Sequence, residues 1–353
     1  MSNLLFVLML AGAMIPVLLW FYRVLPGEQW QFLAAFPVEK GDGMEQPGAW
    51  CGSNLTFYGL FLATGSLLGV TTFLLLLSGV GVGVGVSVAL IIVVMAAAVG
   101  AAKGIARLVE DKPNTFTVAG GASAGLYLMP IVVWVMGGLI PELAGRGGVL
   151  VVMAALATAY LLGEGIGRLA CISFGCCYGK PVAELSGLAA GIFSRLYATY
   201  HGETKKIVYA SGLAGVKVVP IQAITSFLFV CVGLGAMYCF LEGRFSVSFG
   251  LAAIFSMAWR IVSEYFRADY RGEGRLSAYQ KMGMVNIAFC IALLWMLSPA
   301  DGLAVHLDNA LVALWSPEVV LFLQTLWVGL FCYFGCSRVT GATLRFHVRT
   351  ERV

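Results

Sequence analysis

The stretch from Val149 to Gly179 decides the fold and reads VLVVMAALATAYLLGEGIGRLACISFGCCYG. Its first part, Val149 to Ile166, is an apolar run of the length that a helix needs to cross a membrane. Its second part, Gly167 to Gly179, places Arg168 and three cysteines at the end of that run. An arginine at membrane depth costs at least about 2.5 kcal/mol, so it usually faces the interior of a helix bundle and pairs with an anion. The stretch therefore predicts a membrane helix with a polar site at its end.

Composition places the rest of the chain in a membrane as well. Apolar residues make up 60% of the 353 residues, charged residues make up 11%, and the mean hydropathy is +0.90. This is more apolar surface than the core of a soluble protein of this length could bury. We predict an all-α polytopic membrane protein with eight or nine transmembrane helices. The nine runs of spanning length are Leu4 to Tyr22, Phe57 to Leu77, Val82 to Ala102, Thr117 to Leu139, Val149 to Ile166, Pro220 to Leu241, Val247 to Phe266, Tyr279 to Leu297 and Val319 to Cys336.

The sequence gives no sign of a cofactor or of a nucleic acid partner. It has no Walker, dinucleotide-binding or zinc-protease motif, and its net charge of +4 indicates no partner beyond an anionic membrane surface. The first apolar run lacks a basic segment before it and a convincing cleavage site after it. We therefore expect a retained helix rather than a signal peptide.

The cysteines predict neither a disulfide framework nor a metal site. Cys171, Cys176 and Cys177 cluster in sequence, but no histidine lies near them and their spacing matches no C-x-x-C pair of a structural zinc site. Most of the others lie inside apolar runs, where a thiol behaves as a small apolar group. These are Cys231, Cys239, Cys290, Cys332 and Cys336.

A second polar constellation lies on the run that begins at Val247. Offsets of four and three residues place Arg260, Glu264 and Arg267 on one face of a helix, where Glu264 can pair with either arginine. This face keeps a net positive charge, and the planar fork of arginine suits two oxygens of a phosphate. The alternative is a salt bridge at the membrane interface, with Arg267 reaching into the headgroups. Because Arg168 supplies a second arginine site, a phosphate-bearing lipid is the better hypothesis.

The stretch Gly167 to Gly179 resembles the signature of the prolipoprotein diacylglyceryl transferases, in a variant that ends Gly-Cys-Cys-Tyr-Gly. The resemblance covers residues 56 to 298 and implies that residues 1 to 55 and 299 to 353 are additions, each with one helix, the second with a basic tail. Further similarities to the family follow in the family's order at Tyr58-Gly59-Leu60, Gly120-Gly121, Pro220 with Gln222, Arg260 to Arg267, and Gln280.

The resemblance implies an enzyme of lipoprotein biosynthesis in the inner (plasma) membrane. Members of this family transfer the diacylglyceryl group of phosphatidylglycerol to the thiol of a lipobox cysteine in a prolipoprotein, which forms a thioether and releases glycerol phosphate. By this resemblance, Arg168 and Arg260 would hold the phosphate and stabilise its growing charge, and Glu264 would fix their geometry as the third catalytic residue. The substrate-binding residues that it implies are Arg267, Tyr58, Gln222, Cys171, Cys176, Gly120 and Gly121. Tyr58 could instead belong to an interfacial aromatic belt.

The chain departs from the family at the positions that would handle the proton. Ala119 and Val219 stand where the family has histidines. A thiol with a pKa near 8.5 must lose its proton to attack, so the missing base should cost a factor of about 10² to 10⁴. Glu164 or His201 could replace it. The alternatives are an internal ion pair of Glu164 with Arg168, four residues later, and an exposed loop position for His201.

The distribution of charge leaves the orientation in the membrane open. Apart from Arg168 and Arg260, every lysine and arginine except Arg146 and Arg244 falls on the side of the membrane where the signature ends. The positive-inside rule assigns that side to the cytoplasm. The resemblance implies the opposite side, where secreted prolipoproteins arrive.

Two segments outside the membrane runs carry structural predictions. Residues 181 to 219 predict a small extramembrane head after the fifth helix, built as a hairpin of Lys206 to Tyr209 and Val216 to Val219. Residues 25 to 56, with three prolines and two tryptophans, predict an interfacial loop.

Three hypotheses remain at this point. The first is a transferase that modifies a cysteine thiol. The second is a relative that transfers from a phospholipid to a different acceptor, and the third is a membrane protein that binds or moves lipid without turnover.

Overall fold

The computed structural model of the chain describes residues 2–40, 49–110, 118–268, 276–297 and 302–353. The helices, numbered along the chain, are α1 (Asn3–Val24), α2 (Phe57–Gly79), α3 (Val84–Glu110), α4 (Val118–Gly137), α5 (Gly145–Phe174), α6 (Gly187–Phe193), α7 (Lys206–Ser211), α8 (Ile221–Leu241), α9 (Phe245–Phe249), α10 (Phe255–Glu264), α11 (Ala278–Met296), α12 (Leu307–Leu314) and α13 (Pro317–Gly335). The strands are β1 (Phe32–Lys40), β2 (Trp50–Thr56) and β3 (Cys336–Leu344).

Nine helical segments within these ranges are long and apolar enough to cross a membrane, so the chain is an all-α multi-pass membrane protein, as predicted. They are α1 to α5, α8, α11, α13 and a continuous segment in which α9 passes through a π-helical turn (Gly250–Ile254) into α10. Each predicted run overlaps one of them. Helix α5 is longer than predicted and ends at Phe174 rather than Ile166, so Arg168 and Cys171 lie in its last turns.

Helix α5 is the centre of the bundle and packs against α2, α4 and α8. Glycines let its backbone touch that of α2. A Cβ atom on Gly65 would lie 2.6 Å from the carbonyl oxygen of Gly163, and a Cβ atom on Gly163 would lie 2.9 Å from the carbonyl oxygen of Gly65. Small residues at such contacts favour association of membrane helices, because lipid gives no hydrophobic driving force between them.

The ends of the helices define two faces of the bundle. One face, here called the signature face, carries the last residue of α5, the first of α8 and the last of α10. Arg146 in the first turn of α5 and Arg244 just before α9 lie at the opposite face, as predicted. Lys112, Arg271 and Arg275, which also entered the charge comparison, lie outside the described residues.

The prediction of an interfacial loop over residues 25 to 56 is wrong for residues 32–40 and 50–56, which form strands. Strands β1 and β2 pair antiparallel, and β3 from the C-terminal addition pairs with β2, with Trp50 opposite Leu344 and Leu55 opposite Cys336. The sheet therefore joins the two additions to each other on the signature face. Local patterning could not show this, because the third strand comes from the far end of the chain.

The predicted hairpin in the head is also wrong. Lys206 to Tyr209 lies in helix α7, which ends at Gly212 in the left-handed conformation (φ 64°). The second piece is extended, but Val218 forms only isolated bridges, to Pro181 and to Ala198. Because β propensity depends on neighbouring strands, short β-prone pieces without such neighbours take other structures.

A buried lysine that the sequence did not reveal anchors the head to the bundle. Lys205 has no exposed surface, and its Nζ atom donates to the carbonyl oxygens of Ser173 (2.6 Å) and Leu25 (3.1 Å). It thus connects the end of α5 to the end of α1. Its positive charge also interacts favourably with the negative, C-terminal end of the α5 dipole. Burial lowers the pKa of Lys205 to about 8, partly offset by the nearby charge of Glu28.

We expect Lys205→Met to destabilise the protein. The apolar side chain fills the site but leaves two buried carbonyl groups without a donor, which costs about 2 kcal/mol in free energy of unfolding near pH 7. Thermal unfolding in detergent measures the change. Lys206→Met, at the next residue, is the matched control and should change stability by less than about 0.5 kcal/mol.

The same lysine should make stability depend on pH. Its pKa is about 8 in the folded protein and 10.5 in the unfolded chain, so between these values the unfolded chain binds more protons. The free energy of unfolding therefore rises as the pH increases through this window. Melting temperatures of the wild type from pH 7 to 10 should show a rise that Lys205→Met lacks. An identical pH profile in both proteins would contradict the prediction.

Candidate functional site

The two arginine constellations that the sequence placed 92 residues apart along the chain, at Arg168 and Arg260, line one pocket at the signature face. The pocket is partly open, and the empty space within it, counting the part that is open to the surroundings, is about 370 Å³. Its lining consists of Arg168, Cys177, Ile221, Gln222, Thr225, Phe229, Trp259, Arg260, Ser263, Glu264 and Arg267.

A short backbone pairing brings the constellations together. The chain after α5 runs antiparallel to the chain after α10: the amide of Lys180 donates to the carbonyl of Phe266 (2.8 Å), and the amide of Ala268 donates to that of Tyr178 (3.1 Å). Gly179 lies at the centre of this junction. A Cβ atom there would lie 2.4 Å from the carbonyl oxygen of Val219, so only glycine allows this approach.

Arg168 is held by an ion pair within its own helix. Its Nη2 atom bonds Oε1 of Glu164 one turn earlier, and only 11% and 13% of the two side chains are exposed. The ion-pair alternative for Glu164 is therefore what the structure shows. The Nε atom of Arg168 is buried and has no hydrogen-bond partner among the described residues.

Gln222 adds an acceptor to the same pocket. Its Nε2 atom donates to the carbonyl oxygen of Cys176 (2.8 Å), which fixes the amide. Its Oε1 atom is buried and, within the described ranges, accepts no hydrogen bond. Buried polar groups are almost always hydrogen-bonded in folded proteins. The lining thus offers one unmatched donor, on Arg168, and one unmatched acceptor, on Gln222, to a ligand.

The second constellation is arranged only in part as the helical offsets predicted. Arg260 and Glu264 lie one turn apart on α10, but α10 ends at Glu264, so Arg267 lies beyond the helix, where it pairs with Gly179. Arg260, Glu264 and Arg267 all line the pocket, and Nη2 of Arg260 donates to the hydroxyl of Tyr160 on α5 (3.1 Å). The pocket lining has three guanidinium groups and the carboxylate of Glu264, and Glu164 pairs with Arg168 from outside the lining. One net positive charge remains, and the low dielectric of the surroundings strengthens its attraction for an anion.

Three other predicted residues are not among those that line the pocket. Tyr58 packs its ring against Phe174 with centroids 5.7 Å apart. Gly121 packs against α3, where a Cβ atom would lie 3.4 Å from the carbonyl oxygen of Ala98, and Gly120 lies beside it at the start of α4. The substrate-binding roles of these three residues stay predictions.

Neither proposed replacement for the missing base is placed for that role. His201 is exposed in the head, as its alternative predicted. Glu164 is engaged by Arg168. Within the described ranges, the pocket lining contains no histidine.

The three signature cysteines come together where α5 ends. Their sulfur atoms lie within 4.8 Å of one another. Hydrogen bonding with Cys171 and Cys177, together with burial, raises the pKa of Cys176 well above its usual value. Of the three, Cys177 belongs to the pocket lining, and Cys171 and Cys176 do not. The substrate-binding roles predicted for Cys171 and Cys176 stay predictions.

The motif that ends α5 explains why these cysteine side chains lie close together. Gly175 ends α5 in the left-handed conformation (φ 73°), and the amide of Cys176 donates to the carbonyl of Cys171 (3.1 Å) while that of Gly175 donates to Ile172 (3.3 Å). This is a Schellman motif, which places the side chains at the positions of Cys171 and Cys176 in contact. Cys177 has a positive φ of 55°, an uncommon conformation for a residue with a side chain and one found at functional sites.

No protein-family model matches the chain, and no curated protein matches it. What the site does must therefore follow from its own residues.

Proposed function

We propose that the chain is a membrane-embedded transferase that moves a diacylglyceryl group from a phospholipid, phosphatidylglycerol, to a cysteine thiol of a prolipoprotein. The observation that carries the proposal is the convergence of Arg168, Arg260 and Arg267 on one pocket at the end of membrane helices. Arginine stays ionised at any relevant pH, and its fork matches two oxygens of a phosphate. The resemblance at Gly167 to Gly179 supports the same reaction.

The pocket also fits a lipid better than a free phosphate. Three of the residues that line it have apolar side chains and belong to membrane helices: Ile221 and Phe229 on α8, and Trp259 on α10. The indole of Trp259 is fixed, because its Nε1 atom donates to the hydroxyl of Thr225 (2.9 Å). A phosphate held by the arginines would therefore have hydrocarbon beside it, as the headgroup of a membrane lipid does.

In the proposed reaction, the thiol of the acceptor loses its proton to solvent, its sulfur forms a bond to the glyceryl carbon, and the bond from that carbon to the phosphate oxygen breaks. The electron pair stays on the phosphate, so glycerol phosphate leaves with an additional negative charge. Arg168 and Arg260 would stabilise this charge as preorganised donors. Glu264 and Arg267 would hold their positions, and Oε1 of Gln222 would accept from a hydroxyl of the headgroup glycerol.

One observation favours a second candidate, a relative that uses the same phospholipid but a different acceptor. The described pocket lining has no histidine to take the proton of a thiol. An acceptor that is already ionised would need no such base. The two candidates share the donor lipid and differ only in the group that attacks it.

Purified protein in phosphatidylglycerol liposomes, supplied with a lipobox peptide, tests the proposal. Mass spectrometry should find the peptide increased by one diacylglyceryl group. Arg260→Ala should lower the rate at least ~100-fold, because each preorganised donor to developing charge is worth about that much. Arg244→Ala, an exposed arginine at the opposite face, should leave the rate unchanged.

Other outcomes separate the hypotheses. Release of glycerol phosphate without modified peptide would support the second candidate. A folded protein that retains phosphatidylglycerol, releases nothing and loses the lipid in Arg260→Ala would be a lipid-binding protein, and the transferase proposal would fail.

A further inference from the structure

The three thiols at the end of α5 form a set that the proposed lipid site does not use. Cys171, Cys176 and Cys177 are all reduced, and their sulfur atoms lie within 4.8 Å of one another. A Zn²⁺ ion bound at about 2.3 Å by each of three thiolates requires sulfur atoms about 3.8 Å apart. Movements of the side chains by less than about 1 Å would close the difference. The geometry is therefore nearly that of a ligand set.

Linear spacing argued against a metal here, but the structure removes that objection. The C-x-x-C rule describes ligands on one tight turn. In this chain the Schellman motif reverses the backbone, so residues five apart, Cys171 and Cys176, face each other. The positive φ of Cys177 (55°) then turns the third sulfur towards the same point.

We propose that these three cysteines bind one Zn²⁺ ion as thiolates and leave its fourth position open towards the arginine pocket. Three protein ligands with one open position are the pattern of catalytic zinc sites, whereas structural sites have four. No fourth histidine, cysteine or carboxylate belongs to the cluster within the described residues. Cys177 belongs both to the cluster and to the pocket lining, so the open side of the ion faces the bound lipid.

The charges around the cluster favour such a complex. Three thiolates and one Zn²⁺ carry a net charge of −1, and the three arginines of the pocket exceed Glu264 and Glu164, the partner of Arg168, by one charge.

The ion would supply what the missing histidines leave open, and this part rests on the proposed transferase function. A thiol that coordinates zinc loses its proton. The sulfur of the acceptor cysteine would occupy the fourth position as a thiolate and attack the glyceryl carbon of the lipid held by Arg168 and Arg260. The released proton goes to solvent or to the leaving glycerol phosphate, and the zinc is unchanged after the reaction.

Metal binding is measured first, without any lipid. Reduced protein stripped with a chelator is titrated with Zn²⁺ against a chromogenic chelator, and with Co²⁺ to detect the absorption of cobalt–thiolate bonds. We expect one ion per chain. Cys171→Ser, Cys176→Ser and Cys177→Ser should each weaken binding at least ~100-fold. Cys231→Ser, which changes a half-buried thiol in α8, is the matched control and should bind as the wild type does.

A second readout needs no variant and so does not depend on folding of the serine proteins. Zn²⁺ should protect Cys171, Cys176 and Cys177 of the wild type from alkylation, while the exposed Cys51 still reacts. No stoichiometric ion, equal binding in all cluster variants, binding of Cu⁺ in place of Zn²⁺, or a disulfide in the cluster with no metal uptake would each overturn the proposal.

Turnover then separates this inference from the proposed function. If the lipobox peptide is modified, the metal-free protein should be at least ~100-fold slower, as for loss of a general base, and added Zn²⁺ should restore the rate. Equal rates with and without metal would overturn the role in activating the thiol while the transferase stands. Zinc binding in a protein that modifies no peptide would instead refute the proposed function and that role, and would leave only the metal site.

Discussion

Arg168→Ala should lower transfer from phosphatidylglycerol by about 10²- to 10³-fold, the largest effect that we expect from one side chain. The variant loses a charged donor to the leaving phosphate, including the buried Nε atom that has no partner among the described residues. Preorganised donors of this kind act in a site of low dielectric, where each one lowers the activation barrier by about 3 to 4 kcal/mol. The rate of peptide modification in liposomes, at saturating lipid, measures the change.

The same variant should also be less stable, and the two effects can be separated. Removing Arg168 leaves Glu164, only 13% exposed, as a buried charge without its partner, which costs about 3 to 5 kcal/mol. The double variant Glu164→Gln with Arg168→Ala removes that charge. Its melting temperature should return most of the way to the wild-type value, while its activity should stay as low as in Arg168→Ala. Recovery of transfer in the double variant would show that Arg168 serves only to neutralise Glu164.

The membrane spans followed from the sequence because the physics that sets them is local. Twenty or so apolar residues must form a helix in hydrocarbon, where no water can satisfy the backbone, and every predicted run overlaps a helix of the structure. The shared face of Arg260 and Glu264 also followed, because an offset of four residues within α10 fixes it. The predicted helical position of Arg267 was wrong, because α10 ends at Glu264 and the backbone pairing with Gly179 places Arg267 instead. The longer extent of α5 did not, since the run past Ile166 mixes Arg168 and small residues with the apolar ones.

The assembly of the site required contacts between distant parts of the chain. The pocket exists because residues 178–180 pair with residues 266–268, and no local pattern encodes that pairing. In the sequence, Lys205 is one more charged residue of a polar loop. In the structure it is buried and donates to the carbonyl oxygens of Ser173 and Leu25, which precede it in the chain by 32 and 180 residues. The thiol cluster did have a local signal, a glycine between Cys171 and Cys176 at the end of a helix, which a test for Schellman motifs would detect.

The backbone junction itself supplies the second large prediction. Gly179→Ala should lower transfer about 100-fold although it removes no functional group. The new Cβ atom would lie 2.4 Å from the carbonyl oxygen of Val219 and 3.1 Å from that of Phe266. Both contacts are with backbone, so the two chains must separate. Arg168 and Cys177 precede this point and Arg267 lies across it, and a displacement of about 1 Å between catalytic groups can cost that factor in rate.

Stability distinguishes this positional effect from general damage. Overpacking at one site typically costs about 1 to 3 kcal/mol, which a bundle with nine spanning segments in its described residues should tolerate, so Gly179→Ala should remain folded in detergent. Gly191→Ala is the control: it lies in α6 of the same head, where a Cβ atom would meet nothing within 4 Å, and it should keep full activity. If Gly179→Ala were folded and fully active, the junction would not be what sets the distance between the two arginine constellations.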